Sequence, residues 1–491
     1  MRSSTPFFKG FGPLLFGRRA GHKVKEVKAI ESLGELYEVF GDLVPEKLLG
    51  LEPKGVNSRD RALPPRVTFW AFVWQALNPA SSCREVTRKI EAWWRWMQRD
   101  RSGQGLLSAS AYCQARQRLE AETLELILGH TAHNLERHVL QEELGPQKRR
   151  VRILDGTGLS APDTAENQAV WPQSSEQKAG LGFPQIKLVG LFSLASGAVI
   201  EHQLGNKHEH ESQLFRKLLP RVRKADIIVA DRAFCSYAAL ATLVRQKADG
   251  LMRLHQMRKV DLRRGKALGP KDRLITWTRP VKCPPGWSEE EFALLPESLS
   301  VRIIGLHVSV PGCRTRAVTL VTTLLDPSAY PADLLRELYA RRWNVELHFH
   351  QIKVALDMDV LSCKSPDMVE KEILIRLISY NLIRAFMQRA AHLYHAPLER
   401  LSFKGSLDTA RHFATAVHAA SATPRRQDAL IAEMLAAMAS DHVPIRPGRS
   451  EPRAKKRRPK NYQLLTQPRA QMIVLPHRNR PSKNTPKQAL S

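Results

Sequence analysis

The stretch "YARRWNVELHFHQIK", Tyr339 to Lys353, decides how the chain is read. It sets Tyr339, Arg342, Glu346 and Lys353 among large apolar residues. At about 100° per residue in a helix, those four fall within about 60° of one another. Leu334, Leu338, Val345, Phe349, Ile352 and Leu356 line the neighbouring strip. That apolar strip predicts one long helix over "PADLLRELYARRWNVELHFHQIKVAL", docked on a core by that side. The polar four then run along the border of the buried face, where partial desolvation strengthens charge interactions. Trp343 and His350 fall near the same border and take no role. Periodicity alone favours a plain border of salt bridges among Arg342, Glu346 and Lys353.

Two remote acids change the balance. "RVRILD" is an apolar strand ending in Asp155, and "DIIVAD" is another ending in Asp231. Functional groups of open α/β sheets gather at the carboxyl ends of strands. Taken singly, each Asp reads as a turn or helix N-cap residue, Asp231 especially because "SYAAL" opens a helix soon after. Taken with Glu346, they form a three-carboxylate set of the hard oxygen ligands that Mg²⁺ prefers. Two such ions about 3.5–4 Å apart can hold both the attacking and the leaving oxygen of a phosphodiester. Spacing by itself does not bring the three acids together.

The rest of the chain frames these elements. Its 491 residues carry a formal net charge of +28, which points to nucleic acid ahead of ribosomal, membrane-surface or other polyanion partners. The six Cys have no metal-ligand spacing and read as reduced thiols of a cytosolic protein. No apolar run approaches the roughly 18 residues of a membrane span. Residues 1–24 read as a flexible basic arm, and 25–148 as a helical, DNA-binding N-terminal domain. There Gln114, Arg116, Gln117 and Arg118 make a basic helix surface, either solvated or DNA-contacting, with Ser108 or Ser110 as the helix cap. Strands and helices alternate over 149–255, and 331–395 is helical. Together they predict a mixed α/β sheet with crossover helices. Residues 256–330 interrupt them as a β-rich insertion. Residues 396–440 form C-terminal helices, and 441–491 a basic, disordered tail. In "NKHEH" (206–210), His208 and His210 with Glu209 and the following Glu211 offer either a metal cluster or a solvated loop, and with no third ligand group evident the stretch reads as the loop. Trp277 and Trp287 read as packing residues.

"DGTGLS", "ADRAFCSY", "SAPDTAENQAVWPQ" and the ungapped Tyr-x2-Arg-x3-Glu-x6-Lys spacing resemble the insertion sequence 4 family of DDE transposases, from about residue 105 to 390. The resemblance implies a ribonuclease-H-like catalytic core with a β insertion before the Glu helix. It implies Asp155, Asp231 and Glu346 as catalytic ligands of two Mg²⁺ (or Mn²⁺) ions. It gives Tyr339, Arg342 and Lys353 contacts with DNA phosphates. Arg253, in "GLMRL", matches a further DNA-contacting position but reads equally as an ordinary strand-end Arg. The expected partners are double-stranded terminal inverted repeats and target DNA, bound by a homodimer in the bacterial cytoplasm at the nucleoid. The expected reaction is cut-and-paste transposition through a hairpin. A nuclease that cuts without joining and a catalytically inactive DNA-binding relative are the alternatives. One departure stands out: "RAVTLVTTLL" lacks the Trp with which some relatives hold a flipped base.

Overall fold

The computed structural model describes residues 63–96 and 106–444, except 256–257, 259–260, 262, 308–316 and 421–422, together with residues 44, 46–49 and 471. The expected arm at 1–24 and the basic run "AKKRRPK" (454–460) lie outside the described residues.

The β-branched runs pair into one sheet. Its strands are β1 (Val151–Ser160), β2 (Gln185–Ser193), β3 (Val199–Gly205), β4 (Ile227–Ala230), β5 (Asp249–Arg253), β6 (Lys266–Gly269), β7 (Asp272–Thr278), β8 (Ser298–His307) and β9 (Ala317–Thr322). They lie in the order β3-β2-β1-β4-β5-β9-β8-β7-β6. The β1–β4 and β4–β5 pairings are parallel and the others antiparallel. The architecture is therefore mixed α/β. The interrupting segment does not build a sheet of its own. Its last strand, β9, pairs with β5, so β6 to β9 extend the sheet that carries β1 and β4.

Both faces of the sheet are covered. Alternation along β1 sends Ile153 and Leu159 into one apolar cluster and Leu154 into the other. The first cluster joins the N-terminal helices α1 (Pro65–Leu77), α2 (Cys83–Trp96), α3 (Ala109–Gln117) and α4 (Ala121–Arg137) to the sheet. It continues into three C-terminal helices, Pro366–Leu393, Phe403–Ala419 and Pro424–Ser440. Helix α3 is capped by Ser108, whose hydroxyl accepts from the amide of Ala111. Its basic surface is narrower than expected. Arg116 is buried, stacked on Phe72 and Tyr112 and donating to the sulfurs of Cys83 and Cys113. Gln114, Gln117 and Arg118 remain exposed. On the other face, α6 (Glu211–Leu218) and α7 (Tyr237–Arg245) cover β4 and its neighbours, and α8 (Glu289–Ala293) adds Phe292, with Trp277 buried and Trp287 packed against that cluster. The short helix α5 (Ala165–Val170) lies in the connection from β1 to its antiparallel neighbour β2.

The segment from Pro331 to Leu356 is helical throughout but is not one regular α-helix. It comprises α9 (Ala332–Ala340), a tight 3-10 turn at Arg341–Trp343, α10 (Asn344–His350) and a wide π turn at Gln351–Ala355. The docking strip is as read from periodicity, with Leu338, Val345, Phe349, Ile352 and Leu356 buried, except that Leu335 replaces Leu334. Gly190 makes room for this docking. A Cβ there would lie 3.2 Å from the Phe349 ring and 2.7 Å from Phe192.

The start of α9 is pinned from the far half of the sheet. Arg302 is fully buried, pairs with Asp272 at 2.5 Å and donates to the carbonyl of Tyr330 at 2.6 Å. Arg149 donates to the Tyr330 hydroxyl at 3.1 Å. Removing one partner of such a pair strands the other charge in the interior. Arg302→Leu is expected to destabilise the fold by about 3–5 kcal/mol in urea unfolding. A loss below about 1 kcal/mol would mean that the pair has no structural role.

Candidate active site

The site is laid out by strand register. β1 and β4 pair in parallel up to Leu154 opposite Ala230, and β4 pairs with β5 up to Ala230 opposite Met252. The next residue on each strand is Asp155, Asp231 and Arg253. These three therefore stand side by side at the carboxyl ends of the parallel strands. Asp155 does not end its strand as expected, because β1 runs on to Ser160 through its pairing with β2. It marks instead where β1 loses β4 as a neighbour. Asp231 begins a 3-10 turn without capping it, and α7 is capped by Ser236. The N-cap reading of Asp231 thus fails, and its carboxylate is left to accept a hydrogen bond from the Tyr339 hydroxyl at 3.4 Å.

Arg342 joins the helix to the sheet. Its guanidinium lies 3.2 Å from Asp155 Oδ2 and 3.4 Å from Glu346 Oε1, with only 7% of the side chain exposed. The i,i+4 spacing on a helix supplies the second pair. The exposed Trp343 and the buried Tyr339 flank the guanidinium. The salt-bridge border read from periodicity is thus half present, and its strongest partner is a strand acid that periodicity does not reveal. Lys353 does not join it. The π turn carries its ammonium to β1, 2.9 Å from the Gly158 carbonyl and 3.3 Å from Thr157 Oγ1, and it pairs with Asp359 at 2.6 Å. The Arg253 guanidinium makes no hydrogen bond or ion pair with a described residue, although it is close enough to Tyr339 to influence it.

Electrostatics follow from crowding acids in a half-dry cleft. Burial raises the Asp155 pKa and Asp231 adds to the rise, while the Gly156 amide and Arg342 oppose it. Glu346 is raised by partial burial and by both Asp155 and Asp231, against Arg342. Burial works against the charge of Arg342, but Tyr339 and the three acids outweigh it and hold its pKa above the ordinary value. The Tyr339 phenol is pushed well up by burial, so it stays a donor. Among the described residues, no three His, Cys, Asp or Glu side chains stand close enough to hold an ion as they lie. Arg342 supplies the positive charge between Asp155 and Glu346. The donor set itself is all carboxylate oxygen, which is the chemistry of a hard divalent cation.

Two neighbours escaped the sequence reading. His348 is buried against Phe192, with Nδ1 2.9 Å from the Tyr380 hydroxyl. Burial lowers its pKa to about 3, so it is a neutral packing residue. Glu211 was assigned with its neighbours to a solvated loop. The structure splits that group. Glu209 pairs with Lys217 and His210 caps α6, whereas Glu211 turns towards β1.

A family model described as "Transposase DDE domain" matches residues 146–382, and one described as "Insertion element 4 transposase N-terminal" matches residues 31–128. The chain is similar to the transposase InsG for insertion sequence element IS4 of Escherichia coli (strain K12), with 25% identity over 459 residues, 90% of this chain and 97% of that protein. It also resembles the putative transposase InsZ of the same organism, with 28% identity over 145 residues, 29% of this chain and 48% of that protein. A solved structure of the piggyBac transposase synaptic complex with hairpin DNA aligns with 91% of this chain and 87% of its own, at 10% identity and a TM-score of 0.41, too distant to bear on the reading. The chain belongs to the insertion sequence 4 family of transposases, enzymes that cleave DNA and transfer its strands.

The raised carboxyl pKa values carry a stability consequence. An acid whose folded-state pKa lies above its unfolded value is held at a cost once ionised. That cost is full above the folded pKa and fades as pH falls towards the unfolded one. Without divalent ions, Asp155→Asn and Glu346→Gln are each expected to raise the thermal midpoint at neutral pH by about 1–3 °C. The gain should vanish near pH 4. Midpoints that fall at neutral pH in both variants would show that pairing with Arg342 outweighs burial.

Proposed function

We propose that Asp155, Asp231 and Glu346 are the catalytic carboxylates of a cut-and-paste transposase that works on its element's terminal inverted repeats. The observation carrying this reading is the register. Leu154 pairs with Ala230, so both Asp residues leave the ladder side by side, and Arg342 links Glu346 to the first of them. On this reading β1 to β5, with the helices on both faces, are a ribonuclease-H-like core, interrupted over 256–330 and preceded by a helical DNA-binding domain. The acids would hold two Mg²⁺ or Mn²⁺ ions. Bound there, such ions neutralise charge on the reacting phosphate and lower the pKa of the attacking hydroxyl.

The chain's own groups position DNA. Arg342 is withdrawn from solvent and points into the cleft from Glu346 to Asp155, where it can meet an entering phosphate as a fork of donors. Tyr339, kept protonated by burial, donates to Asp231 or to a phosphate oxygen. Arg253 stands beside Asp231 without a hydrogen-bonding partner among the described residues, a free cation for backbone contact. Lys353 holds the loop of β1 beyond Asp155 and reaches phosphate by exchanging Asp359. In the proposed sequence, water attacks phosphorus at the element end, the bond to the 3′-oxygen breaks, and a 3′-hydroxyl is freed. That hydroxyl attacks phosphorus in the opposite strand and expels the flanking DNA's 3′-oxygen to close a hairpin. Water attacks the same phosphorus and releases the element's 3′-hydroxyl again, and that hydroxyl attacks a target phosphorus and expels a target 3′-oxygen. Each step is an in-line displacement, so one site serves all four. Two ends must be joined together, which fits a homodimer on DNA. The charge of +28 supports tight, salt-sensitive binding and a place at the bacterial nucleoid.

The test uses a donor plasmid with the element's ends, a target plasmid and Mg²⁺. Cleavage and joining are expected. Asp155→Ala, Asp231→Ala and Glu346→Ala should each lower cleavage at least about a thousandfold while end binding persists. Cleavage without joining would instead mark a nuclease, and binding with neither an inactive relative. Arg253→Ala and Lys353→Ala should each weaken end binding and reduce its dependence on log salt by about one. Unchanged salt dependence in both would remove them from the DNA contacts.

A further inference from the structure

We infer that Glu211 is a fourth carboxylate of the acid site, an oxygen ligand for divalent cation shared with Asp155 and Asp231. The inference rests on the reading of those acids as metal-holding. Three observations carry it. The first is contact with β1. A Cβ placed on Gly156 would lie 2.6 Å from Glu211 Oε1, so the carboxylate rests directly on the strand backbone one residue past Asp155. Glycine at 156 is what admits it.

The second is the topology of the gap. Glu211 opens α6, on the sheet face opposite Arg342, because Leu154 and α6 share one apolar cluster while Ile153 and α10 share the other. A continuous sheet would keep those faces apart. The β1–β4 ladder, however, ends at Leu154 and Ala230. Beyond it β1 meets its next neighbour on that side only at Ser160, bridged to Val360, so from Asp155 to Leu159 an acid from either face looks into one opening. The electrostatics agree: burial raises the Glu211 pKa, and Asp155 and Asp231 both add to the rise, against His210 and Lys187.

The third is that the carboxylate is uncommitted. The bland role for Glu211 is an acid in the first turn of a helix, facing solvent and favoured by the helix dipole. Glu211 is instead partly buried, and its carboxylate makes no hydrogen bond or ion pair with a described residue. The neighbouring cation is already engaged, since Lys187 Nζ donates to the carbonyls of Lys207 and Glu209. The capping work of α6 is done by His210 and Gln213. A half-dry carboxylate without a protein partner, beside two others, is placed to share a cation.

The experiment measures Mn²⁺ binding to the full chain without DNA, by electron paramagnetic resonance of free Mn²⁺. Glu211→Gln keeps shape and removes charge, and it is expected to raise the Mn²⁺ dissociation constant at least about tenfold. Glu211→Asp should recover part of the affinity. Gly156→Ala, which forces the carboxylate off the strand, should act in the same direction with Glu211 intact. Asp155→Asn is the reference. If it weakens binding while Glu211→Gln and Gly156→Ala bind as the parent does, Glu211 is not a ligand. If Glu211→Gln weakens binding and Asp155→Asn does not, the ion lies elsewhere and the shared site is overturned. If none of them alters binding, the metal reading of the acids falls first. A thermal midpoint in Glu211→Gln no lower than the parent's separates ligand loss from misfolding. In DNA cleavage, the Mg²⁺ concentration for half-maximal rate should rise in parallel.

Discussion

Carboxylates gathered in a half-buried cleft repel one another and resist ionisation, so the site depends on a buried cation set among them. Arg342 reaches Asp155 on the sheet and Glu346 on its own helix, and it is withdrawn from solvent. An Arg suits this position better than a Lys. Its planar fork serves two carboxylates at once, and it keeps its charge under desolvation. The guanidinium supplies the charge that the acids require in the absence of other cations. Yet it leaves the pKa values of Asp155 and Glu346 raised. The cluster is thus balanced only in part, as expected where the folded chain bears a cost for a site that further positive charge can relieve.

The architecture brings that Arg to those acids by two separate constraints. Parallel pairing of β1, β4 and β5 puts Asp155, Asp231 and Arg253 in one row. Docking of α9 and α10 across that row is set by Phe349 over Gly190 and by the buried Arg302, which holds the carbonyl just ahead of α9. The far half of the sheet therefore does more than extend it, since it fixes where the site helix begins. Departures from regular helix geometry complete the arrangement. The tight turn at Arg341–Trp343 carries Arg342, and the wide turn at Gln351–Ala355 moves Lys353 onto β1. Such irregular turns recur where a helix serves a site as well as a core.

Much of this was legible in the residues. Alternation and β-branching mark β1, β4, β5 and the strands of the interruption. The apolar strip from Leu338 to Leu356 marks the docked helix, and the spacing of Tyr339, Arg342, Glu346 and Lys353 carries the family. The illegible parts share a cause. Periodicity says which face of a helix is buried but not what it is buried against. It therefore placed Arg342 with Glu346 and missed Asp155. It assumed a uniform helix, and so put Lys353 on the wrong line. Arg116 looked like surface because nothing local announces Phe72, Tyr112 and two sulfurs gathered around it. Glu211 looked like loop because its partner surface is a glycine distant in sequence.

By itself, the sequence determined the element types and the docking face of the site helix, because these follow from short-range periodicity and residue chemistry, and its family resemblance named the three acids and their basic companions as candidates. Only the tertiary structure decided that β1 continues past Asp155, that Asp231 leaves its turn uncapped, that Arg342 spans sheet and helix, and that Glu211 comes to the same opening. Each of those depends on strand register and on where a ladder ends. Register is set by the packing of residues far apart in the chain, and no local pattern encodes it.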